Sequence, residues 1–494
     1  MHNIRPTISM ILCAALLTVA AQGLAAQGTA RKSISAWVKC GGGGDEFVGV
    51  ARAFEAARHS AFTLLVDCPV RIHIGTDIAR TIFIDDRTSV EFSGEGRLII
   101  DNVFHPAFVI ANSSDIVLAN WNLEYDASLP VDMKTGGYEN AGKFVASDRN
   151  APASGAFSDL RLTEWLSRNR NIKFDKSQGS VSPIWVGPTN TSAVFFVTGD
   201  SGNVKVTGMR LHAPAGAGGE RFVPVAFSLS ANYKSNQRVT SATPRTPQFV
   251  AVPHGLVFSD IDLDGYYMGW QGNAQNATFE KVRAHRYGDL QDANGENVGG
   301  VGKWFAPPHL FYFNYLITGD PGLFNRNLRI HDVVDGGPRV GVARDKGGSD
   351  SGSGFDMTLK IGGINCSVDQ YTSTRPDGFV DVLSSDGLTI SNVNASYDSS
   401  FLNDQYSGWR FPQGPYKRVT FKNIVFKDMA ASSLQQPITA ANLASNEGIV
   451  FSNVRVEINH WAGKGELLPV IVGTGNSVDL EYSITGESTR LRWH

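Results

Sequence analysis

GLVFSDIDLDG at 255–265, NATFEKVRAHR at 276–286, NLRIHDVVDGG at 327–337, NCSVDQYTSTR at 365–375, GLTISNVNASY at 387–397, RVTFKNIVFKD at 418–428 and GIVFSNVRVEI at 448–458 are versions of one segment. An earlier version, NVKVTGMRLHA, occupies 203–213. Each opens on a small or polar residue, alternates apolar with polar for about nine positions and breaks at Gly, Pro, Asp or Ser. Alternation rich in Val, Ile, Thr and Phe predicts half-buried strands. Recurrence at roughly 20 to 50 residues predicts coils stacked into a solenoid, with variable gaps leaving the stack as loops.

The whole chain agrees. It has 494 residues, 42% hydrophobic and 18% charged, with 52 glycines and a net charge near −3. Coils that bury their faces only on neighbours need not divide into domains, so one elongated unit over 27–494 is expected. The near-neutral charge excludes nucleic acid and an anionic membrane surface as bulk-charge partners. Residues 1–26 read as a cleaved secretory signal: Arg5, an apolar run from Ile8 to Ala21, then Ala25-Ala26. A soluble, monomeric, secreted or periplasmic protein is therefore expected. Cys40 and Cys68 bracket a predicted amphipathic helix carrying Phe47, Val50, Ala51, Phe54 and Ala57, and are expected to pair. Cys366 reads as a small buried hydrophobe. That helix is expected to cap one end of the stack.

Short strands are expected in RIHIGTD, TIFIDD, SVEFSGEGRLIID and FVIANSSDIVLANWNLEYD, between Arg71 and Asp126. Loop insertions are expected near 130–180, 230–247, 288–325 and 338–363. The third holds the aromatic run GKWFAPPHLFYFNY, and the last is polar and glycine-rich.

The helix, SGEGRLII and the repeats of form G-apolar-T-apolar-S-N-apolar resemble the right-handed parallel β-helix proteins of the pectate-lyase superfamily, which includes polygalacturonase-type glycosidases, polysaccharide lyases and phage tail-spike depolymerases. The resemblance covers roughly 46–483 and implies an all-β, single-stranded right-handed parallel β-helix acting on a polysaccharide. RPDGFVDVLSSDGLTISNVNASYDSSF, from Arg375 to Phe401, is similar to the polygalacturonase pattern in which one coil carries N-T-D-G and the next G-D-D. Asp377 matches the first aspartate and Asp398 one of the second pair. Arg375-Pro376 stand in place of Asn-Thr, and Ser399 in place of the other aspartate.

Glycoside hydrolysis needs two carboxylates across the sugar bond. Equivalent positions one coil apart lie about 5 Å from each other. The offsets predict a ladder of Asp289, Asp377, Asp398 and Asp404, in which crowding would raise one pKa and prepare a general acid. The alternative is that these are turn residues, since Asp is common at coil corners. Candidate substrate-binding residues are His285, Arg286, Trp304, His309, Tyr312, Arg344, Lys346, Arg375 and Trp409. Flat rings, among them Tyr266 and Trp270, could stack on sugar faces. A lyase would instead neutralise a uronate with cations or Ca²⁺ held near Asp345, Asp350 and Asp356. No resident metal or cofactor is expected for a hydrolase. A non-catalytic carbohydrate-binding solenoid is the third reading.

Overall fold

The computed structural model describes residues 30–41, 43–58, 62–74, 78–100, 106–125, 193–212, 226–230, 232–233, 249–264, 266, 269–285, 309–313, 325–336, 358–374, 378–399, 408–411, 414–433, 436–438, 446–463, 474–484 and 487–493. Among these, 26 strands form one continuous sheet wound on itself. All but the last of them, Glu487–Trp493, pair in parallel with their counterparts one coil away. The third position of each segment runs Lys205, Val257, Thr278, Arg329, Ser367, Thr389, Thr420, Val450 in unbroken register. The chain is thus a parallel β-helix, a connectivity that winds right-handed as a rule.

Each coil has three walls, and the repeat segment makes two of them. In Thr389–Tyr397, residues 389–391 lie on the first wall and 393–397 on the second. Between them Asn392 has φ +52°. The same left-handed corner recurs at Gly208, Asp260, Lys281, Asp332, Gln370, Asn423 and Asn453. The nine-residue alternation is therefore two short runs with a skipped beat: in Val257–Asp264 the buried positions are Phe258, Ile261 and Leu263. The opening residue of each segment is left-handed too, at Asn203, Gly255, Asn276, Asn327, Asn365, Gly387, Arg418 and Gly448. Glycine and asparagine tolerate that conformation best, which explains the small or polar opening. At Gly387 glycine is also required by space, because a Cβ would meet Asn365 Oδ1 at 2.6 Å.

Asparagines stacked at these corners bond to one another. Asn423 Nδ2 donates to Asn392 Oδ1 and Asn453 Nδ2 to Asn423 Oδ1, each at 3.0 Å. Asn327 Nδ2 donates to Asn276 Oδ1 at 2.7 Å.

The third wall carries strands Phe108–Ala111, Phe195–Thr198, Phe227–Ser230, Trp270–Gly272, Phe311–Phe313, Leu359–Ile364, Val380–Asp386 and Trp409–Arg410. Their inward rings form a spine: Phe108, Phe195, Phe227, Trp270 and Phe311 stack at successive centroid distances of 5.1, 5.2, 5.4 and 5.0 Å. Phe311–Phe313 and the strand starting at Leu359 fall inside the stretches read as insertions 288–325 and 338–363. They are coil strands, placed by apolar residues that fill the interior. Asn232–Tyr233 and Phe249–Ala251 pair antiparallel at the ends of the 230–247 stretch. The rest of the four insertions lies largely outside the described residues.

Helix Phe47–Ala57 buries Val50, Ala53, Phe54 and Ala57. Phe54 packs on Phe108 and Trp121 at 6.0 and 6.1 Å, so the helix covers the N-terminal coils as expected. The Cys40–Cys68 disulfide is present. Cys366 is buried, and burial pushes its thiol up to about 12, leaving it inert at neutral pH. At the other end Ser477–Ile484 pairs antiparallel with Glu487–Trp493. No helix among the described residues is long and apolar enough to cross a membrane. Residues 1–26 lie outside them.

Candidate functional site

The third wall repeats a triplet with apolar or small flanks: Phe227-Ser228-Leu229, Trp270-Gln271-Gly272, Phe311-Tyr312-Phe313, Leu359-Lys360-Ile361, Val380-Asp381-Val382 and Trp409-Arg410-Phe411. Strand alternation turns the flanking residues inward and the middle one outward. Register aligns the middle residues into one column, Ser228, Gln271, Tyr312, Lys360, Asp381, Arg410. Six rungs at the usual spacing span about 24 Å.

This outward column is unusually dry. Ser228, Gln271 and Asp381 are 1, 2 and 1% exposed. Burying such groups is costly unless they are bonded, and two of them answer that cost together. Arg410 Nε donates to Asp381 Oδ1 at 2.6 Å while Nη2 donates to Oδ2, a bidentate pair. One rung along, Lys360 Nζ lies 4.9 Å from the Tyr312 ring centroid. The His309 ring, fully buried, stacks on Tyr312 at 4.8 Å and 9°.

The corner between the second and third walls is held by two inward-facing aspartates. Asp335 accepts from Thr358 Oγ1 and, at 3.3 Å, from Ser373 Oγ; Tyr371 OH lies 2.8 Å from Thr358 Oγ1. Asp428 accepts from the backbone N–H groups of Ser399 and Ala430 at 2.9 and 3.0 Å and from Ser433 Oγ. Burial first, and then the Asp428 charge, push the Tyr397 hydroxyl well above its ordinary value. Both aspartates are 0% exposed and fix the corners rather than face a ligand.

The sequence candidates divide sharply. His309 and Tyr312 come together on the third wall. Asp398 is half-buried at the corner that ends strand Thr389–Tyr397. His285 ends strand Thr278–His285 on the second wall, in register with Asp264, and so does not join His309. Trp409 is not a sugar platform: it is 0% exposed and packs inside on Phe421 at 4.8 Å. Trp270 and Tyr266 are likewise interior, because each fills the coil lumen where a ring offers no free face. Tyr312 keeps an exposed part, but its ring is already engaged by His309 and Lys360. Asp289, Asp377, Asp404, Arg286, Trp304, Arg344, Lys346 and Arg375 lie outside the described residues, so the aspartate ladder is not tested. No cluster of three or more His, Cys, Asp or Glu among the described residues could hold a metal ion.

Gln271, Lys360, Asp381 and Arg410 escaped the sequence reading. Their signal was present: a polar or charged residue centred in a three-residue strand.

The second wall carries a different set. His212 Nε2 is 3.9 Å from Asp262 Oδ2, and Arg210 Nε is 4.0 Å from the same oxygen. The Asp262 carboxylate beside it raises the His212 pKa, and His212 in turn lowers that of Asp262.

Fold and column together define the class: a parallel β-helix with one polar, desolvated wall. No protein-family model matches the sequence, and neither does any curated protein. Several solved structures are similar. The enzymatically active domain of tailspike protein 2 of bacteriophage CBA120 shares 9% identity at a TM-score of 0.37, over 92% of this chain and 52% of that one. This chain thus spans about half the length of that tailspike structure. A hyperthermoactive exopolygalacturonase from Thermotoga maritima shares 10% identity at 0.37, over 94% of both chains. The surface protein and adhesin PfbA of Streptococcus pneumoniae shares 8% at 0.34, over 92% of this chain and 98% of that one. These similarities carry no inference about activity.

Proposed function

We propose that this protein is an exported polysaccharide-degrading enzyme, a glycoside hydrolase, whose glycan lies along the third wall. The observation that supports this reading is the polar column: Tyr312, Lys360 and Arg410 reach solvent, with Ser228, Gln271 and Asp381 buried in the same column, on a wall whose strands otherwise bury apolar residues on the inside. Hydrolysis would use paired aspartates at the corner between the second and third walls. Asp398 immediately follows the strand Thr389–Tyr397 of one coil, and in the sequence Asp377 immediately precedes Gly378, which leads into the wall-three strand of the coil before. Asp404 and Asp289 complete the candidate carboxylates. No cofactor is required for such a reaction, and the chain would act as a monomer after loss of residues 1–26.

The test is digestion of a polysaccharide panel, read by reducing-end release and by ultraviolet absorbance of unsaturated sugars. New reducing ends without absorbance, abolished in Asp377→Asn and in Asp398→Asn, are expected. Rising absorbance would replace hydrolysis by β-elimination. Activity unchanged in both variants would remove the two aspartates from the chemistry.

A further inference from the structure

Lys360 stands out on the third wall because its charge is left over. It is half-buried, and among the described residues no carboxylate is within ion-pair reach of it. The nearest acid by register is Asp381, its direct partner one coil on. Asp381 is turned the other way, with both oxygens taken by Arg410. On the opposite side Lys360 rests over Tyr312, whose orientation is set by the stacked His309. A ring face compensates an ammonium only in part, and a partly desolvated cation still favours an anion.

We propose that Lys360, seated on Tyr312, is an anion-recognising subsite that selects a glycan bearing a carboxylate or sulfate over these coils, with Arg410 keeping Asp381 from neutralising it. The proposal rests on the third wall being the glycan site but not on hydrolysis. Arg410 here is a positioning residue: it acts on the ligand through Asp381 and Lys360.

The experiment is calorimetric binding of oligogalacturonate, sulfated dextran oligomers and unsulfated dextran oligomers at moderate salt. Wild type is expected to bind one or both anionic probes at least tenfold more tightly than neutral dextran; which one separates carboxylate from sulfate recognition. Lys360→Met should remove that preference, whereas Lys422→Met, on the first wall, should leave it intact. Arg410→Met frees Asp381 to pair with Lys360 and should weaken anion binding about as much as Lys360→Met. Arg410→Met with Asp381→Asn should recover it, an outcome that a purely structural role for Arg410 does not produce. Equal anion binding by wild type and Lys360→Met overturns the subsite, as does binding that Lys422→Met weakens equally. If Arg410→Met fails to fold by circular dichroism, the Lys360 and Lys422 arms decide alone. Lys360-dependent binding without any glycan cleavage would keep the subsite and sink the hydrolase. Cleavage of a neutral glycan with no Lys360 effect would do the reverse.

Discussion

Two ion pairs on a single strand separate the middle of the third wall from its edge. Val380–Asp386 carries Asp381 at one end and Asp386 at the other, and each meets an arginine of a later segment. The Asp381 and Arg410 side chains are 2 and 12% exposed; those of Asp386 and Arg418 are 42 and 66%. The contacts are equally short, with Arg418 Nε 2.7 Å from Asp386 Oδ1. Geometry alone does not distinguish them, but solvent does. An exposed pair is screened and contributes little. A desolvated pair depends wholly on its partner. The third wall thus differs along its own width: its edge, where Asp386 meets the opening corner, is exposed like the asparagine corners of the other walls, while its middle holds a column in which Ser228, Gln271 and Asp381 are kept out of water and Tyr312, Lys360 and Arg410 are half-buried.

The contrast can be broken by mutation. Asp381→Ala strands the Arg410 charge in a dry site and should cost about 3–5 kcal/mol in chemical denaturation. A loss below about 1 kcal/mol would mean the third wall is as wet as the others. Next in size, Asn423→Ala replaces a residue that tolerates the left-handed corner by one that does not and removes two ladder bonds, a loss of about 2 kcal/mol. Asn423→Gly should recover roughly half of it, since glycine accepts the corner but cannot bond. Asp386→Ala should change stability by about 0–1 kcal/mol, fading in high salt.

The smallest effect is the one that depends on pH. The folded-state pKa of His212 is raised, so its contribution is complete below its ordinary value of 6.5 and is lost as pH rises through the folded value. Asp262 is lowered, so its contribution persists above 3.8 and is lost as pH falls through its folded value. Thermal unfolding of His212→Gln should therefore trail wild type at pH 5.5 and match it at pH 8.5. Because both groups are partly exposed, the difference at pH 5.5 should stay under about 1 kcal/mol. An equal deficit at both pH values would assign it to packing instead.

Much of this architecture was legible in residue order. GLTISNVNASY and its relatives announce strands, and their first residue announces a corner. The second corner, at Asn392 and its equivalents, was hidden, because a single left-handed residue interrupts the alternation without a Gly-Pro signal. Trp270 and Trp409 misled for a related reason. Aromatic rings beside loops suit a sugar platform or a core equally well, and only the direction of a three-residue strand decides. The Asp381–Arg410 pair was invisible as a pair, since 29 positions part its members and only the coil register joins them.

Register has one more consequence. Phe195 stacks directly on Phe108 although the two stand 87 positions apart in the chain, and Phe311 sits as squarely on Trp270. Distance along the polypeptide is thus uncoupled from distance in space: whatever leaves the stack between two rungs does not alter their pitch. Such a scaffold can exchange whole surface segments for new ones while its rungs keep their places, so that novelty in what it recognises can arise by splicing rather than by rebuilding.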